Sequence, residues 1–366
     1  MKVSFCVIAY NEQRYIRGIL DNIVKQDYPH ADMEIILVDG ASVDKTLEYM
    51  TRFKEAYSNE FADIKILNNP KRTLPCGWNV ALREYSGDVI VKVDAHAIIP
   101  EDFVSKNVEA IESGEYIVGG ERPCIIDDPK DPFKKMLLMA ENSLFGSSIA
   151  PFRNRDGQKA SEKRYVNSLF HAMYSRKVFD EVGFFNENLS RTEDNEIHYR
   201  MREAGFRFAL MPDIISYQYM RADLKAMLKQ KFNNGYWIGI TAKVCPQCLS
   251  MYHYVPGAFA AAVLASTGAE YVTGKVIHAT RKKKNPFDKS SNKTFRFIRK
   301  GVRKLSYTMW GAYIFLDLLM SAFSIIKEEK KEKEYFFLPL VILAMHLSYG
   351  FGTIAGLASN PETANK

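Results

Sequence analysis

No glycine-rich phosphate loop follows the first apolar run of this 366-residue chain. Ala9-Tyr10-Asn11-Glu12 stands where a nucleotidyltransferase making sugar nucleotides would place its glycines. Cysteine is scarce, five in all, which excludes a disulfide framework. Cys245-Pro-Gln-Cys248 is a lone CxxC. A zinc site needs two further ligands, and Cys6, Cys76 and Cys124 are scattered singles. Reduced thiols are therefore expected. No internal repeat is visible, and the strand pattern begins at once, so no cleavable leader is expected. A strong overall charge is missing too. The net charge is +7, and much of it is local: Arg281 to Lys304 holds eleven Lys or Arg and one Asp. Such a patch does not make a nucleic-acid-binding protein, and no nucleic acid partner is expected. Apolar residues are plentiful at 47%, enough for a sizeable core. The length accommodates a catalytic domain plus an appendage.

Lys2 to Ala9 predicts a strand at the start. Asn11 is a good helix cap, and Tyr15, Ile16, Ile19, Leu20, Ile23 and Val24 then recur at helical spacing. Glu34 to Asp39 is a second strand, turned by Gly40-Ala41-Ser42 into a helix over Asp44 to Ala56. Ile64 to Leu67 is a third strand, Gly77 to Glu84 a helix, and Asp88 to Val93 a fourth strand. Strands alternating with helices imply a mostly parallel sheet covered on both faces. After Pro100 a helix runs to Ser113, then a strand at Tyr116 to Val118 that Gly119-Gly120 follows. Arg122 to Asp131 reads as a loop and Phe133 to Phe145 as a helix. Phe152 to Arg164 reads as a mobile surface loop able to close over substrate. A helix at Asn195 to Ala204, a strand at Phe206 to Met211 and an amphipathic helix at Leu224 to Trp237 complete the region.

From Tyr252 the character changes. Tyr254 to Ala269 carries no charge, but sixteen residues are short for a span and fit the membrane interface or a re-entrant segment. Ser306 to Ile326 has one charge and Tyr335 to Ser359 none; each reaches the roughly 20 residues a span needs. Lys327 to Glu334 is a charged turn between them. Three regions are thus expected: an α/β catalytic domain over 1–240, an interfacial helix and basic linker over 241–304, and a membrane helical hairpin with a short tail over 305–366. The basic patch before the first span favours the cytoplasmic side for the catalytic domain. A soluble helical hairpin packed on the domain is the alternative.

Three acids stand where strands end or a helix opens. Asp39 follows Ile35-Ile-Leu-Val38, Asp94 follows the fourth strand, and Asp194 opens a later helix. Parallel sheets put their chemistry at the carboxyl ends of strands. Asp94 and His96, an oxygen and a nitrogen ligand two residues apart, could share one divalent cation, and the cation could hold a diphosphate. A nucleotide sugar needs such a set. One carboxylate orients the base or ribose, a metal neutralises the leaving diphosphate, and one carboxylate takes the proton of the attacking hydroxyl. Lys71 and Arg72, in the loop before the fourth strand, could meet phosphates. Asp39, Asp94 and His96 are expected to converge on one cleft. Taken singly, each acid has a plainer reading as a turn or helix cap.

In order, VSFCVIAYNEQRYI, ILVDGASVDKT, DVIVKVDAHA and NENLSRTEDNEIHYRMREAGFRF resemble the family-2 glycosyltransferases of the GT-A fold, over about residues 1 to 240. The resemblance implies a mostly parallel, nucleotide-binding α/β sheet with a C-terminal hydrophobic membrane region. It implies that Asp39 binds the donor nucleotide, with Ala9, Tyr10, Glu12, Lys71, Arg72 and Asp94 in the same set. It implies that Asp94-Ala95-His96, matching an Asp-x-Asp motif, binds diphosphate and metal, and that Asp194 is the base of an inverting displacement, with Glu193 the next candidate. His96 stands where the second Asp is usual. An imidazole is a sound ligand for Mn2+ and less natural for Mg2+, so either ion stays open. The C-terminal part is similar to the tails of membrane-bound bacterial members that build exopolysaccharide or capsule. That implies a nucleotide-sugar donor, a lipid-linked saccharide acceptor, the inner (plasma) membrane, and other polysaccharide-assembly proteins as candidate partners. Gln230-Lys-Phe-Asn-Asn-Gly-Tyr-Trp237 holds only half of a Gln-x-x-Arg-Trp synthase motif, which favours addition of a single sugar. Gln230, Tyr236 and Trp237 are candidates for the acceptor cleft, or pack an interface helix. A processive polysaccharide synthase and a non-catalytic membrane scaffold of the same fold remain the alternatives.

Overall fold

The computed structural model describes residues 1–146, 162–221, 223–282 and 286–361. Its amino-terminal part is built by alternation: β1 (Val3–Ala9), α1 (Ile16–Val24), β2 (Met33–Asp39), α2 (Thr46–Tyr57), β3 (Asp63–Asn68), α3 (Leu74–Glu84) and β4 (Val89–Asp94). There follow β5 (Ala97–Ile98), α4 (Phe103–Glu112), β6 (Ile117–Glu121), β7 (Cys124–Ile125), α5 (Pro132–Asn142), β8 (Arg164–Val166), β9 (Met173–Ser175), α6 (Arg176–Val182), α7 (Glu193–Glu203), β10 (Phe208–Ile215) and β11 (Tyr217–Tyr219). Four long helices close the chain: α8 (Leu224–Val244), α9 (Val255–Lys282), α10 (Pro286–Lys327) and α11 (Leu338–Ala358).

The main sheet has the order β3-β2-β1-β4-β9-β6-β10-β8. β3, β2, β1 and β4 run parallel, as expected from the alternation. β9 enters antiparallel between β4 and β6, and β8 closes the far edge antiparallel to β10. A second sheet, β5-β11-β7, stands beside the carboxyl end of β4. β2 and β4 are buried at every position because helices cover both faces, which is why they read as continuous apolar runs. On one face Phe5, Val7, Ile35, Leu37 and Val91 pack with Ile19 of α1, Met50 of α2 and Phe103 of α4. On the other, Cys6, Ile36 and Ile90 pack with Trp78 of α3, Phe179 of α6 and Ile197 of α7.

Several boundaries differ from those the sequence predicts. Gly119 and Gly120 do not end β6 but lie within it. A Cβ on Gly120 would stand 1.7 Å from the carbonyl oxygen of Ile214, so only glycine lets β10 approach there. The loop at Arg122 to Asp131 contains the short strand β7. Of the loop expected at Phe152 to Arg164, all but its last residues lie outside the described residues, and Arg164 already belongs to β8.

The carboxyl-terminal helices depart furthest. Tyr254 to Ala269 is no short interfacial segment. Its residues from Val255 on form the first part of the 28-residue α9, which pairs antiparallel with α10: Glu270 meets Arg303 at 3.2 Å, and Phe259 stacks on Tyr313. The basic stretch is no linker either, because most of it is the opening of the 42-residue α10, continuous with the apolar run. At 1.5 Å per residue α10 is roughly 60 Å long, about twice a bilayer core. Lys293–Lys327 and Lys333–Ala358 are long and apolar enough to cross a membrane. α8 extends past Trp237 to Val244 and lies along α11 at backbone contact. A Cβ on Gly235 would stand 1.9 Å from Tyr349 O, and one on Gly352 2.1 Å from Phe232 O. Gly235-x3-Gly239 and Gly352-x3-Gly356 face each other, the small-residue packing by which membrane helices associate. Tyr335, in the one-turn helix before α11, is buried with Met136 and Met139 of α5. The charged turn at Lys327 to Glu334 therefore sits on the same side as the α/β region. That packing does not match a hairpin whose turn lies beyond a bilayer.

Candidate active site

The site is the carboxyl rim of β1, β2 and β4. In register, Ala9 lies opposite Asp39, and Ile8 opposite Asp94. Asp39 and Asp94 thus stand two strands apart on one edge, about 10 Å across the sheet. The pleat sends them opposite ways: Asp39 follows the face of Leu37, and Asp94 the face of Ile90 and Lys92. The expected single cleft for Asp39, Asp94 and His96 is therefore not formed: the two acids share the carboxyl edge of the sheet but leave it on opposite faces.

Side chains stitch that edge together. The Asp39 carboxylate accepts the Ser42 N–H at 3.2 Å, and Ser42 Oγ accepts the Asn11 N–H at 2.9 Å. Asn11 Oδ1 accepts the Val43 N–H, and Thr46 Oγ accepts the Glu12 N–H at 2.8 Å. Glu12 Oε1 meets His96 Nδ1 at 3.1 Å. Gln218 of β11 bridges the remaining gap, its Nε2 lying 3.1 Å from His96 Nε2 and 2.6 Å from Asp94 Oδ2. A polar chain thus runs from Asp39 to Asp94. The backbone pays in strain along it: Asn11, Ala41 and Arg72, just past β1, β2 and β3, all have left-handed φ near +55° to +60°. Non-glycine residues there cost about 1–3 kcal/mol each and concentrate at functional sites.

Asp94 is buried, and burial alone would raise its pKa. The Lys92 ammonium and the His171 ring reverse this and hold the carboxyl well below the usual carboxylate range. Lys92 lies two residues earlier on the same face and pairs with Asp94 Oδ1. His171 Nε2 is 3.4 Å from Asp94 Oδ2, and its Nδ1 is 2.9 Å from Ser216 Oγ. Burial pushes His171 down to about 4, so it is neutral at pH 7 and Lys92 is the counter-charge.

Glu193 and Asp194 open α7. A helix N-terminus stabilises carboxylates, but only by about 0.3–1 kcal/mol at exposed sites. Desolvation wins here. Burial, and then the Asp194 charge, raise Glu193 well above its usual value, and its Oε2 is buried with no hydrogen-bond partner. Desolvation likewise raises Asp194, against the Asn195 N–H that its Oδ1 accepts at 2.8 Å. Both acids line one cavity with Lys92, His171, Phe170 and Trp78. That cavity joins the rim of β4 to the start of α7.

The other expected residues divide. Arg72 stacks over the Tyr10 ring, 5.7 Å from its centre, at the rim. Lys71 pairs with Glu187 at 2.7 Å. Gln230 lines a small pocket with His96 and Gln218. Trp237 is buried against Leu189 and Ile240 with Tyr236 at its side, the interface-packing alternative for those two. The residues that sequence reasoning missed are Lys92, His171 and Gln218. Lys92 was visible, since a lysine inside an apolar strand is almost never buried unpaired. Gln218 and His171 come from distant segments and carry no local signal.

Among the described residues no group of three or more His, Cys, Asp or Glu could hold a metal ion. Asp94 and His96 nevertheless direct one oxygen and one nitrogen at a common point, the Gln218 amide. Two protein donors completed by substrate phosphates suit a divalent cation. All five cysteines are buried free thiols.

Residues 4–183 match the model of glycosyl transferase family 2. Over 240 residues, 64% of this chain and 71% of the other, the sequence is 28% identical to a dolichyl N-acetyl-α-D-glucosaminyl phosphate 3-β-D-2,3-diacetamido-2,3-dideoxy-β-D-glucuronosyltransferase of Methanococcus voltae. It is 26% identical over 228 residues to the succinoglycan biosynthesis protein ExoA of Rhizobium meliloti, covering 62% of this chain and 65% of that one. It is 19% identical over 229 residues to a poly-β-1,6-N-acetyl-D-glucosamine synthase of Staphylococcus epidermidis, covering 63% and 52%. The chain thus spans less than two thirds of the length of the latter two. In fold it is similar to the mannosyltransferase PcManGT of Pyrobaculum calidifontis, solved with GDP-Man and Mn2+: TM-score 0.53, 17% identity, 96% of this chain and 87% of that one.

Proposed function

The chain is a family-2 glycosyltransferase of the GT-A fold, and from that premise we propose that it moves a single sugar from a nucleotide-sugar donor to a hydroxyl of a lipid-linked saccharide, in polysaccharide biosynthesis. The observation that carries this is the cavity shared by Lys92, His171, Glu193 and Asp194. It sets two carboxyls with raised pKa beside the strand end that would hold the diphosphate. A base is most effective when its pKa approaches the working pH, and desolvation moves Asp194 that way.

In this reading Asp39, with Ala9, Tyr10 and Glu12, receives the base and ribose. Arg72 and Lys71 approach the phosphates. Asp94 and His96 would hold Mn2+ or Mg2+, which would supply the positive charge that neutralises the leaving diphosphate. Asp194 takes the proton of the acceptor hydroxyl. The freed oxygen attacks the anomeric carbon from the face opposite the diphosphate, the bond to the diphosphate breaks, and the configuration inverts. Burial, and then the Asp194 charge, raise Glu193 as well, so desolvation and the neighbouring acid both disfavour a second negative charge in the cavity. The likeness to a polymer synthase supports a processive reading, which needs exposed aromatics along a channel. Trp237 is packed instead against Leu189.

The membrane enters through α10. Phe315, Leu319 and Ile326 are exposed on one face of it, downstream of the basic stretch. Each basic residue near an anionic leaflet adds about 1 kcal/mol of attraction. With the charged turn on the α/β side, α10 rests its apolar face in the cytoplasmic leaflet of the inner membrane, and the 1–240 region stands on the cytoplasmic side. The test is the full chain incubated with a panel of nucleotide sugars and lipid-linked saccharides. Nucleotide release that needs both substrates and is abolished by a chelator is expected. Release that ignores the chelator contradicts the metal assignment, and no release with any donor contradicts the whole reading.

A further inference from the structure

The second sheet fixes Gln218 against the end of β4. In β11 it lies opposite Ala97 of β5 and Cys124 of β7. Ala97 follows His96 directly, and the Tyr219 N–H donates to His96 O at 3.0 Å. On the other side the Gln218 N–H donates to Pro123 O at 3.1 Å. The backbone is therefore held by both neighbouring strands, and the part of Gln218 that can move is its side chain.

The donors and acceptors around that side chain admit one arrangement. A carboxylate only accepts, so the Gln218 group 2.6 Å from Asp94 Oδ2 is the NH2 and not the carbonyl. By the same rule Glu12 Oε1, 3.1 Å from His96 Nδ1, places the imidazole proton on Nδ1. His96 Nε2 is then a lone-pair acceptor, and the Gln218 NH2 lies 3.1 Å from it. One amide group thus gives its two protons to the two atoms that would hold the cation. Lys92 and His171 stand differently, since their ion pairs are with Asp94 alone. An imidazole nitrogen has a single lone pair. It serves the amide proton or a cation, never both at once.

We propose that the Gln218 amide is a gate on the cation position, so that Mn2+ or Mg2+ reaches Asp94 and His96 only when the amide turns away. The inference rests on the transferase reading for the cation and deepens it by assigning how the cation enters. A small pocket lined by Gln218, Met227 and Gln230 opens beside the amide and gives it a place to turn. Turning breaks two hydrogen bonds, one of them to a carboxylate, so the bare ion binds weakly. A cation already on a diphosphate brings phosphate oxygens into its own coordination, which offsets that loss. The gate therefore favours cation and donor arriving as one complex. Gln218 is a positioning residue here, since it acts through Asp94 and His96.

The test reads Mn2+ binding to the full chain in detergent, with no sugar or acceptor present. The metal alone is the probe, and electron paramagnetic resonance measures its unbound fraction. Gln218→Ala leaves room for water, which the ion displaces easily or keeps as a ligand. It should tighten Mn2+ binding about ten-fold, the worth of one hydrogen bond to a charged group. Gln218→Met keeps the length of the side chain and lacks the amide protons, so it should tighten binding too. It carries the test if circular dichroism shows the alanine variant unfolded. Neither gain should survive Asp94→Asn. A residue that merely supports β11 would lower affinity on truncation, the opposite sign. Affinity unchanged in both variants overturns the proposal, because the amide then does not stand in the path of the ion. Weaker binding in either folded variant also overturns it, by making the amide a ligand, and so does a gain that persists in Asp94→Asn, by placing the ion elsewhere. Tighter binding in the variants, with no nucleotide release from any donor, supports the gate and overturns the transferase reading.

Discussion

At the amino-terminal edge of the sheet, Glu34 is buried and fully engaged. Its carboxylate accepts from the Ser4 and Ser86 hydroxyls, the Ser86 and Gly87 N–H groups and Lys65. Burial would raise its pKa, yet these donors bring it down to about 2. Beside the carboxyl edge, Glu193 is equally buried, has an oxygen with no donor, and is raised instead. The two carboxyls share a residue type and a degree of burial. They differ in how completely the fold satisfies them. The satisfied acid ties β1, β2 and β3 together; Glu193 keeps one oxygen without a donor beside Asp194, which in the proposed reading takes a proton that arrives from outside. Asp94 is intermediate, held by one lysine and two polar neighbours, His171 and Gln218, of which Gln218 also meets His96.

The contrast is broken most severely at Lys92. Lys92→Met leaves Asp94 ionised and buried beside a neutral histidine. Removing one partner of a buried pair costs about 3–5 kcal/mol. Denaturant titration at pH 7 should show that loss, and it should shrink toward acid pH as Asp94 protonates. A Lys92→Met protein as stable as the parent would mean that Asp94 does not depend on Lys92.

Glu34 gives the next effect. Its folded pKa lies below its unfolded one, so its stabilisation is present above about pH 4.5 and is lost as pH falls through about 2. The depression corresponds to on the order of 3 kcal/mol at neutral pH. Glu34→Gln should lose most of that at pH 7 and little at pH 2, and chemical denaturation at the two pH values reads the difference directly. An equal deficit at both would refute the linkage. The smallest effect concerns the strained rim. Ala41 has φ +54°, where a side chain costs about 1–2 kcal/mol and glycine costs nothing sterically. Ala41→Gly should stabilise by about 0.5 kcal/mol after the added unfolded-state entropy. A destabilised Ala41→Gly would show that the Ala41 methyl makes contacts worth more than the strain.

The rim was largely legible in the sequence. Asp39 and Asp94 close apolar runs, and a strand that is buried on both faces announces its own end. Asp194 opens a helix that Gly205 ends. Lys92 is equally visible as a charge within Val89-Ile-Val-Lys-Val93, but the apolar run around it dominates the pattern. Gln218 and His171 were beyond reach. They arrive from β11 and from the segment before β9, and pairing of short, distant strands leaves no periodic trace. The helical end was misjudged for a different reason. Absence of charge over Tyr254 to Ala269 predicts an element of that length, whereas α9 continues through Glu270 to Lys282 because helix propensity does not stop where charge begins. The glycine pairs of α8 and α11 are legible only once both helices are known to face each other.

The account rests most heavily on Asp194 as the base, and one variant tests it. Asp194→Asn preserves size and removes the proton acceptor. With the full chain in detergent, donor binding is measured by equilibrium titration and transfer by product formation on the same preparation. The account predicts unchanged donor binding and transfer lower by about 10²–10⁴-fold. Near-parental transfer by a folded Asp194→Asn protein would contradict it and move the base to Glu193.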